Sequence, residues 1–164
     1  MDPKNLNLTD ARNEAVVMLQ MIHAGRGLGP SILSDAFEAG DISARVLRNL
    51  ILPAWCGAEW PLRFLPRKKW LELFGITGFV SDSERAAPHG EVEVWRAQVG
   101  RTVGLAWSTD FEMARWFHRR NRHFGMASRL LHGCVGPAGV LALVDARKES
   151  EVLVHPRRWR PVTG

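Results

Sequence analysis

With 164 residues, 46% of them apolar, the chain is long enough to bury a substantial core, which excludes an intrinsically disordered protein. Its 22 basic residues against 17 acidic ones leave a formal charge of +5, which favours anionic partners without choosing among nucleic acid, a membrane surface and a phosphate-bearing small molecule. Two cysteines, Cys56 and Cys134, are too few for a disulfide framework and stand in no metal-ligand spacing, so both read as buried reduced thiols of a cytosolic protein without structural zinc.

The opening residues, Met1-Asp2-Pro3-Lys4-Asn5-Leu6, lack a basic region followed by an apolar run. No stretch reaches the ~18 uncharged apolar residues of a membrane span. The expectation is a cytoplasmic protein with no membrane partner, unless another machine exports it. Thr9 reads as a helix N-cap, and Ala15, Val16, Leu19, Ile22 and His23 form one stripe before Gly25 and Gly27, which predicts an amphipathic helix over 9–24. Ser31 and Asp41 repeat the capping signal and open helices through Phe37 and through Ile51, the latter with Ile42, Val46, Leu47 and Leu50 facing a core and Pro53 ending it. The pattern loosens from Trp55 to Pro61. Pro66 then starts another short helix, which Gly75 stops. Residues 81–90 are rich in Ser, Asp, Pro and Gly and read as a loop, dividing the chain into a helical region over 1–80 and a second region over 81–164.

Beyond Gly90 the periodicity changes to alternation. Val92 and Val94 share a face that Arg96 continues, either as an edge residue whose stem covers the core or as part of a site. Leu105 to Thr109 is a second strand, after which Thr109 or Asp110 caps a helix carrying Phe111, Ala114 and Phe117 or His118 at helical spacing. Leu130 to Val135, Val140 to Val144 and Val152 to Val154 supply three more strands. Helices in the first half and sheet in the second make the class α+β.

The last of these strands is entered through Arg147-Lys148-Glu149-Ser150-Glu151. If extended backbone begins at Glu149, both carboxylates project to one side, a like-charge pair that belongs either to a solvated sheet edge or to a site. Arg147 and Lys148 soften the repulsion, or are simply solvated.

Val94-Trp95-Arg96-Ala97, then Ala106-Trp107-Ser108-Thr109 followed by Ala114-Arg115-Trp116-Phe117, then Glu149-Ser150-Glu151-Val152-Leu153-Val154, stand in one order along the second half. In that order the sequence resembles the mono-ADP-ribosyltransferase superfamily, in its branch with the Arg, Ser, Glu signature. The likeness covers about residues 91 to 157 and departs at Asp110, where a serine is usual. It implies a core of two antiparallel sheets around an NAD cleft, with the helical region packed on it, and transfer of ADP-ribose from NAD to a target protein. A Glu at the position of Glu149 implies arginine as the acceptor.

Chemistry gives these residue types work to do. Breaking the glycosidic bond of NAD leaves a ribose with oxocarbenium character, which a carboxylate opposes where the charge develops; Glu151 is the candidate. Nicotinamide leaves as a neutral group, so no strong general acid is needed. Arg96 offers a forked guanidinium to the pyrophosphate. Ser108 can hold the Glu151 rotamer, and Thr109 the adjoining turn. Trp107 alternates away from Ser108, which suits packing in the core better than stacking on nicotinamide. Glu149 can pair with an acceptor guanidinium. No Rossmann or Walker pattern occurs, and the six scattered histidines suggest no metal site.

Two rivals remain. An NAD glycohydrolase would pass ADP-ribose to water instead. A non-catalytic module would use Arg119, Arg120, Arg122 and His123, or Arg157, Arg158 and Arg160 around Trp159, to contact nucleic acid.

Overall fold

The structure is a computed structural model that describes residues 3–83, 85–146, 150–155 and 158–162. It divides into two compact units, Met1–Gly78 and Phe79–Gly164.

The first unit holds five helices: α1 (Pro3–His23), α2 (Gly25–Glu38), α3 (Ala44–Gly57), α4 (Pro61–Phe64) and α5 (Arg67–Thr77). The first helix begins before Thr9, which therefore lies inside it and is not its N-cap. Its buried face is also a different one. Val17 and Met21 are buried while Val16, Leu19 and Ile22 are exposed. A run of adjacent apolar residues offers two stripes about 100° apart, and contacts made elsewhere in the unit select one. Met21 lies over Gly29, where an added Cβ would stand 3.6 Å from the methionine Cβ. Gly25, at a φ of 73°, breaks the chain between α1 and α2, whereas Gly27 continues α2. Ser31 is not a cap; it sits within α2 and donates to the Phe64 carbonyl at 2.8 Å.

Ser43, not Asp41, caps α3, its Oγ accepting from Val46 N at 3.3 Å. Pro53 stands inside α3 instead of ending it. A proline there costs about 3 kcal/mol. Ile51, Leu52, Ala54 and Trp55 are all buried around it, and each large side chain contributes about 1.5 to 3 kcal/mol, so packing outweighs the break. Trp70 is fully buried against Trp55, ring centroids 4.9 Å apart, and donates to the Pro61 carbonyl at 3.1 Å. Gly75 lies within α5, which ends instead at Gly78, where φ is 66°.

The second unit carries β1 (Val80–Ser81), β2 (Val92–Val99), β3 (Ala106–Ser108), α6 (Phe111–His123), β4 (Ser128–Val135), β5 (Val140–Val144), β6 (Glu151–Val154) and β7 (Trp159–Pro161). The protein is thus α+β. Its described strands form one sheet in the order β1-β5-β6-β3-β2-β4-β7, with β1 parallel to β5 and the other pairs antiparallel. One mixed sheet replaces the two antiparallel sheets expected, because β3 pairs with β6 on one side and with β2 on the other. The β2–β3 join is thin: its register pair is Trp95 with Ser108, whereas β2 and β4 are matched along their whole length.

Alternation puts Val94, Trp107, Leu131, Val152 and Val154 into a common core, against which Phe79, Val92 and Val103 pack. Neither cysteine is buried: Cys56 is half-buried, and Cys134 is exposed, donating to Glu91 at 3.4 Å. The expected loop over 81–90 begins one residue late, since Ser81 ends β1; residues 82–83 and 85–90 run without helix or strand, yet the Asp82 carboxylate accepts from the backbone of Asp145 and Ala146, each at 2.9 Å. That anchor fixes the chain just before the acidic segment.

Candidate functional site

The walls of one pocket, about 180 Å³ in volume, come from four elements of the second unit. Strand β2 supplies Trp95, Arg96 and Ala97, and β3 supplies Ala106, Trp107 and Ser108. Helix α6 adds Ala114, Phe117 and Asn121, and β6 adds Glu151. Consecutive residues of a strand point to opposite faces, so a wall made of three in a row from each of two strands means that the cavity lies in the gap between them. That gap is the thin join.

A side chain spans it. Arg96 donates from Nη1 to the carbonyl of Ala106 on β3 and from Nε to Gln98 Oε1 at 2.8 Å. Gln98 is itself buried, and its amide donates to the Thr102 carbonyl at 2.9 Å. The guanidinium lies close over Gly104, where a Cβ would stand 2.6 Å from Nη2. Burial lowers the Arg96 pKa to about 10, with the negative charge of Glu151 acting the other way. Arg96 therefore remains a cation at neutral pH and is electrostatically coupled to the carboxylate. It sits on an interior strand, which overturns the edge-residue reading. At least two of its donors serve the protein's own backbone and side chains, so its observed geometry is that of a strut across the join, where the sequence suggested a phosphate anchor.

Ser108 and Glu151 are both buried and are register partners across β3 and β6. Ser108 Oγ accepts from Asp110 N at 3.1 Å. Asp110 is the N-cap of α6, its carboxylate accepting from Glu112 N at 2.8 Å and Met113 N at 3.3 Å. Thr109 is exposed and does not line the pocket. Its backbone N–H and its hydroxyl both donate to the Ser150 carbonyl, at 3.0 and 3.4 Å. Trp107 is buried in the core, donates from Nε1 to Gly104 O at 3.1 Å, and still contributes to the pocket wall.

Ser150 has a φ of 48°, the left-handed region, and extended backbone begins only at Glu151. The simple alternation that was to carry Glu149 to the face of Glu151 is broken at Ser150. Glu149 itself lies outside the described residues, as do Arg147, Lys148 and Arg157.

The structure thus brings Arg96, Ser108, Trp107 and Glu151 to one pocket and leaves Thr109 beside it. It also adds residues that sequence reasoning did not assign there. Trp95 faces Phe111 edge-on at 6.0 Å and His132 at 5.4 Å. Asn121 could have been found by extending the stripe from Ala114 through Phe117 and His118 by another turn, and Gln98, which holds Arg96 from outside the pocket wall, by extending the alternation from Val94 and Arg96. Among the described residues no cluster of His, Cys, Asp or Glu could hold a metal ion, and no helix is long and apolar enough to cross a membrane. Compared with known proteins, the chain matches no family model, no curated protein and no solved structure.

Proposed function

We propose that this pocket takes the nicotinamide-ribose end of NAD and that the protein transfers ADP-ribose to a protein side chain, arginine being the acceptor that the Glu149-Ser150-Glu151 segment suits. The observation that supports this is the convergence of a guanidinium, a strand hydroxyl and a buried carboxylate, Arg96, Ser108 and Glu151, on one pocket with aromatic walls. About 180 Å³ is below the roughly 300 to 1,000 Å³ of a site that encloses a whole ligand, so the pocket suits one end of a dinucleotide.

In this reading the bond between ribose C1′ and the nicotinamide nitrogen breaks, and its electron pair cancels the positive charge of the pyridinium. Glu151 opposes the charge that grows on the ribose, at a buried position where such an interaction is worth more than in water. Arg96 holds β3 to β2 and so fixes Ser108 opposite Glu151; it is a positioning residue. The acceptor nitrogen then bonds to C1′ and gives up a proton, with Glu149 as its receiver.

The test is release of nicotinamide from NAD by purified protein in the presence of a cell lysate, read together with labelling of protein. Glu151→Gln should lower release by about 100- to 1,000-fold, as removal of one transition-state contact does. Glu149→Ala should lose labelling while keeping cleavage. Absence of release by the parent, or equal release by Glu151→Gln, removes the enzyme reading. Release without labelled protein identifies a glycohydrolase.

A further inference from the structure

Helix α6 presents two different faces. Phe111, Ala114, Phe117, His118 and Asn121 are buried or half-buried. On the outside, Trp116, Arg119, Arg120 and His123 follow at intervals of three, one and three residues, with Phe124 at the C-cap, so that aromatic and basic side chains share one stripe. The rings are in the open: Trp116 is 53% exposed and Phe124 65%. The Arg120 guanidinium lies over both, 5.5 Å from the Trp116 ring and 6.0 Å from that of Phe124.

Residues 111–129 hold five arginines, at positions 115, 119, 120, 122 and 129, against the single acid Glu112, a net of +4 within a chain of +5. Glu112 pairs with Arg115 at 3.2 Å. Among the described residues no carboxylate lies within 4 Å of Arg119, Arg120 or Arg122. A helix C-terminus favours cations, which accounts for the arginines alone, and the Arg120 contact still leaves more than half of each ring in solvent.

We propose that this stripe, with Arg122 on its flank beside Arg119, binds single-stranded nucleic acid, with phosphates on Arg119, Arg120 and Arg122 and bases stacked on Trp116 and Phe124. Exposed rings interleaved with guanidinium groups meet both parts of such a ligand, its charge and its flat faces. An acidic peptide satisfies only the charge. A membrane surface calls for a wide apolar face, and the apolar face of α6 is the one already buried. The inference stands apart from the NAD reading, since none of these residues lines the pocket.

The experiment is fluorescence anisotropy of a labelled oligothymidylate of about 20 nucleotides with the full chain, across a range of salt. Three phosphate contacts give a slope of log affinity on log salt near about −2, and replacing Arg119, Arg120 and Arg122 together by Gln should bring it close to zero. Trp116→Ala and Phe124→Ala should each weaken binding by about 5- to 150-fold, while Trp116→Phe, which keeps a ring, stays within a few-fold of the parent. Nicotinamide release should be unchanged in all of them; melting temperature should hold in the ring variants and drop only by the few degrees expected of cations lost at a helix C-terminus in the arginine variant. Absence of binding by the parent, indifference to loss of the rings, or equal affinity for polyglutamate or phosphatidylserine vesicles would overturn the proposal.

Discussion

Replacing Gly104 by alanine tests whether Arg96 is the strut that keeps the pocket together. The added Cβ would stand 2.6 Å from Nη2, 2.9 Å from Cζ and 3.3 Å from Nη1 of Arg96, whereas carbon needs about 3.5 Å or more. An exposed arginine would swing aside at little cost. This one is held by Gln98 and by the carbonyl of Ala106, and its burial leaves few other places for the charge. Losing one charge-assisted hydrogen bond costs about 1.5 to 3 kcal/mol, and overpacking about 1 to 3; the same displacement causes both, so about 2 to 3 kcal/mol is the expected total. For a unit of this size that lowers the melting temperature by roughly 10 to 20 °C, measurable by circular dichroism. Nicotinamide release should fall with it. Arg96→Met gives the methyl group room, so in that background Gly104→Ala should cost less than about 0.5 kcal/mol. An equal cost in both backgrounds, or an unchanged melting temperature in the parent, would refute the strut.

Ser150 is held in a backbone conformation that costs a non-glycine residue about 1 to 2 kcal/mol. Ser150→Gly should match or slightly exceed the parent in urea midpoint, and Ser150→Val should lose about 1 to 2 kcal/mol; a valine variant as stable as the parent would exclude the strain. Burial, and next the charge of Arg122, hold the His118 imidazole below its ordinary pKa of 6.5. As pH falls through 6.5 the unfolded chain takes up this proton before the folded one does. The stability that His118 contributes is therefore present above that value and lost as pH falls toward the folded pKa. Melting temperatures from about pH 8 down to about pH 5 should fall less steeply for His118→Gln than for the parent, and parallel profiles would rule the histidine out.

Elements whose signal is local were legible in the sequence. Val140 to Val144 is a strand with the bounds expected, and Asp110 caps the helix that begins at Phe111, because an apolar run between Gly139 and Asp145 and an acid before a helical stripe need no knowledge of the rest of the fold. Features decided by packing were not. Residues Ala15 to Ile22 offer more than one apolar face, and partners distant in sequence select Val17 and Met21. Pro53 breaks helices in isolation, yet buried neighbours on either side keep α3 intact. At the site, the residue types could be picked out one by one, but not their geometry. Whether Arg96 turns outward to a ligand or across to Ala106 depends on how far β2 and β3 stay paired, and nothing in the order of residues sets that distance. Extended backbone was expected from Glu149, whereas Ser150 adopts a positive φ that composition does not announce.

The three residues after Trp107 show how one short segment can set several walls at once. Ser108 belongs to the pocket and accepts the Asp110 N–H; Thr109 fastens the carbonyl of Ser150, the residue before Glu151; and Asp110 satisfies two backbone donors at the start of α6. Through these bonds β3 fixes both the approach to β6 and the first turn of the helix that brings Ala114, Phe117 and Asn121 to the pocket. This arrangement gives the acid at position 110 a local role. A serine there could also cap the helix, but a carboxylate accepts the same bonds with a full negative charge at the positive end of the helix dipole, worth about 0.3 to 1 kcal/mol more. The Thr109 hydroxyl is spent on the turn before Glu151 and stands outside the pocket wall. The division of labour that follows is local, with Ser108 facing the cavity and its two successors holding in place the elements that carry the other walls.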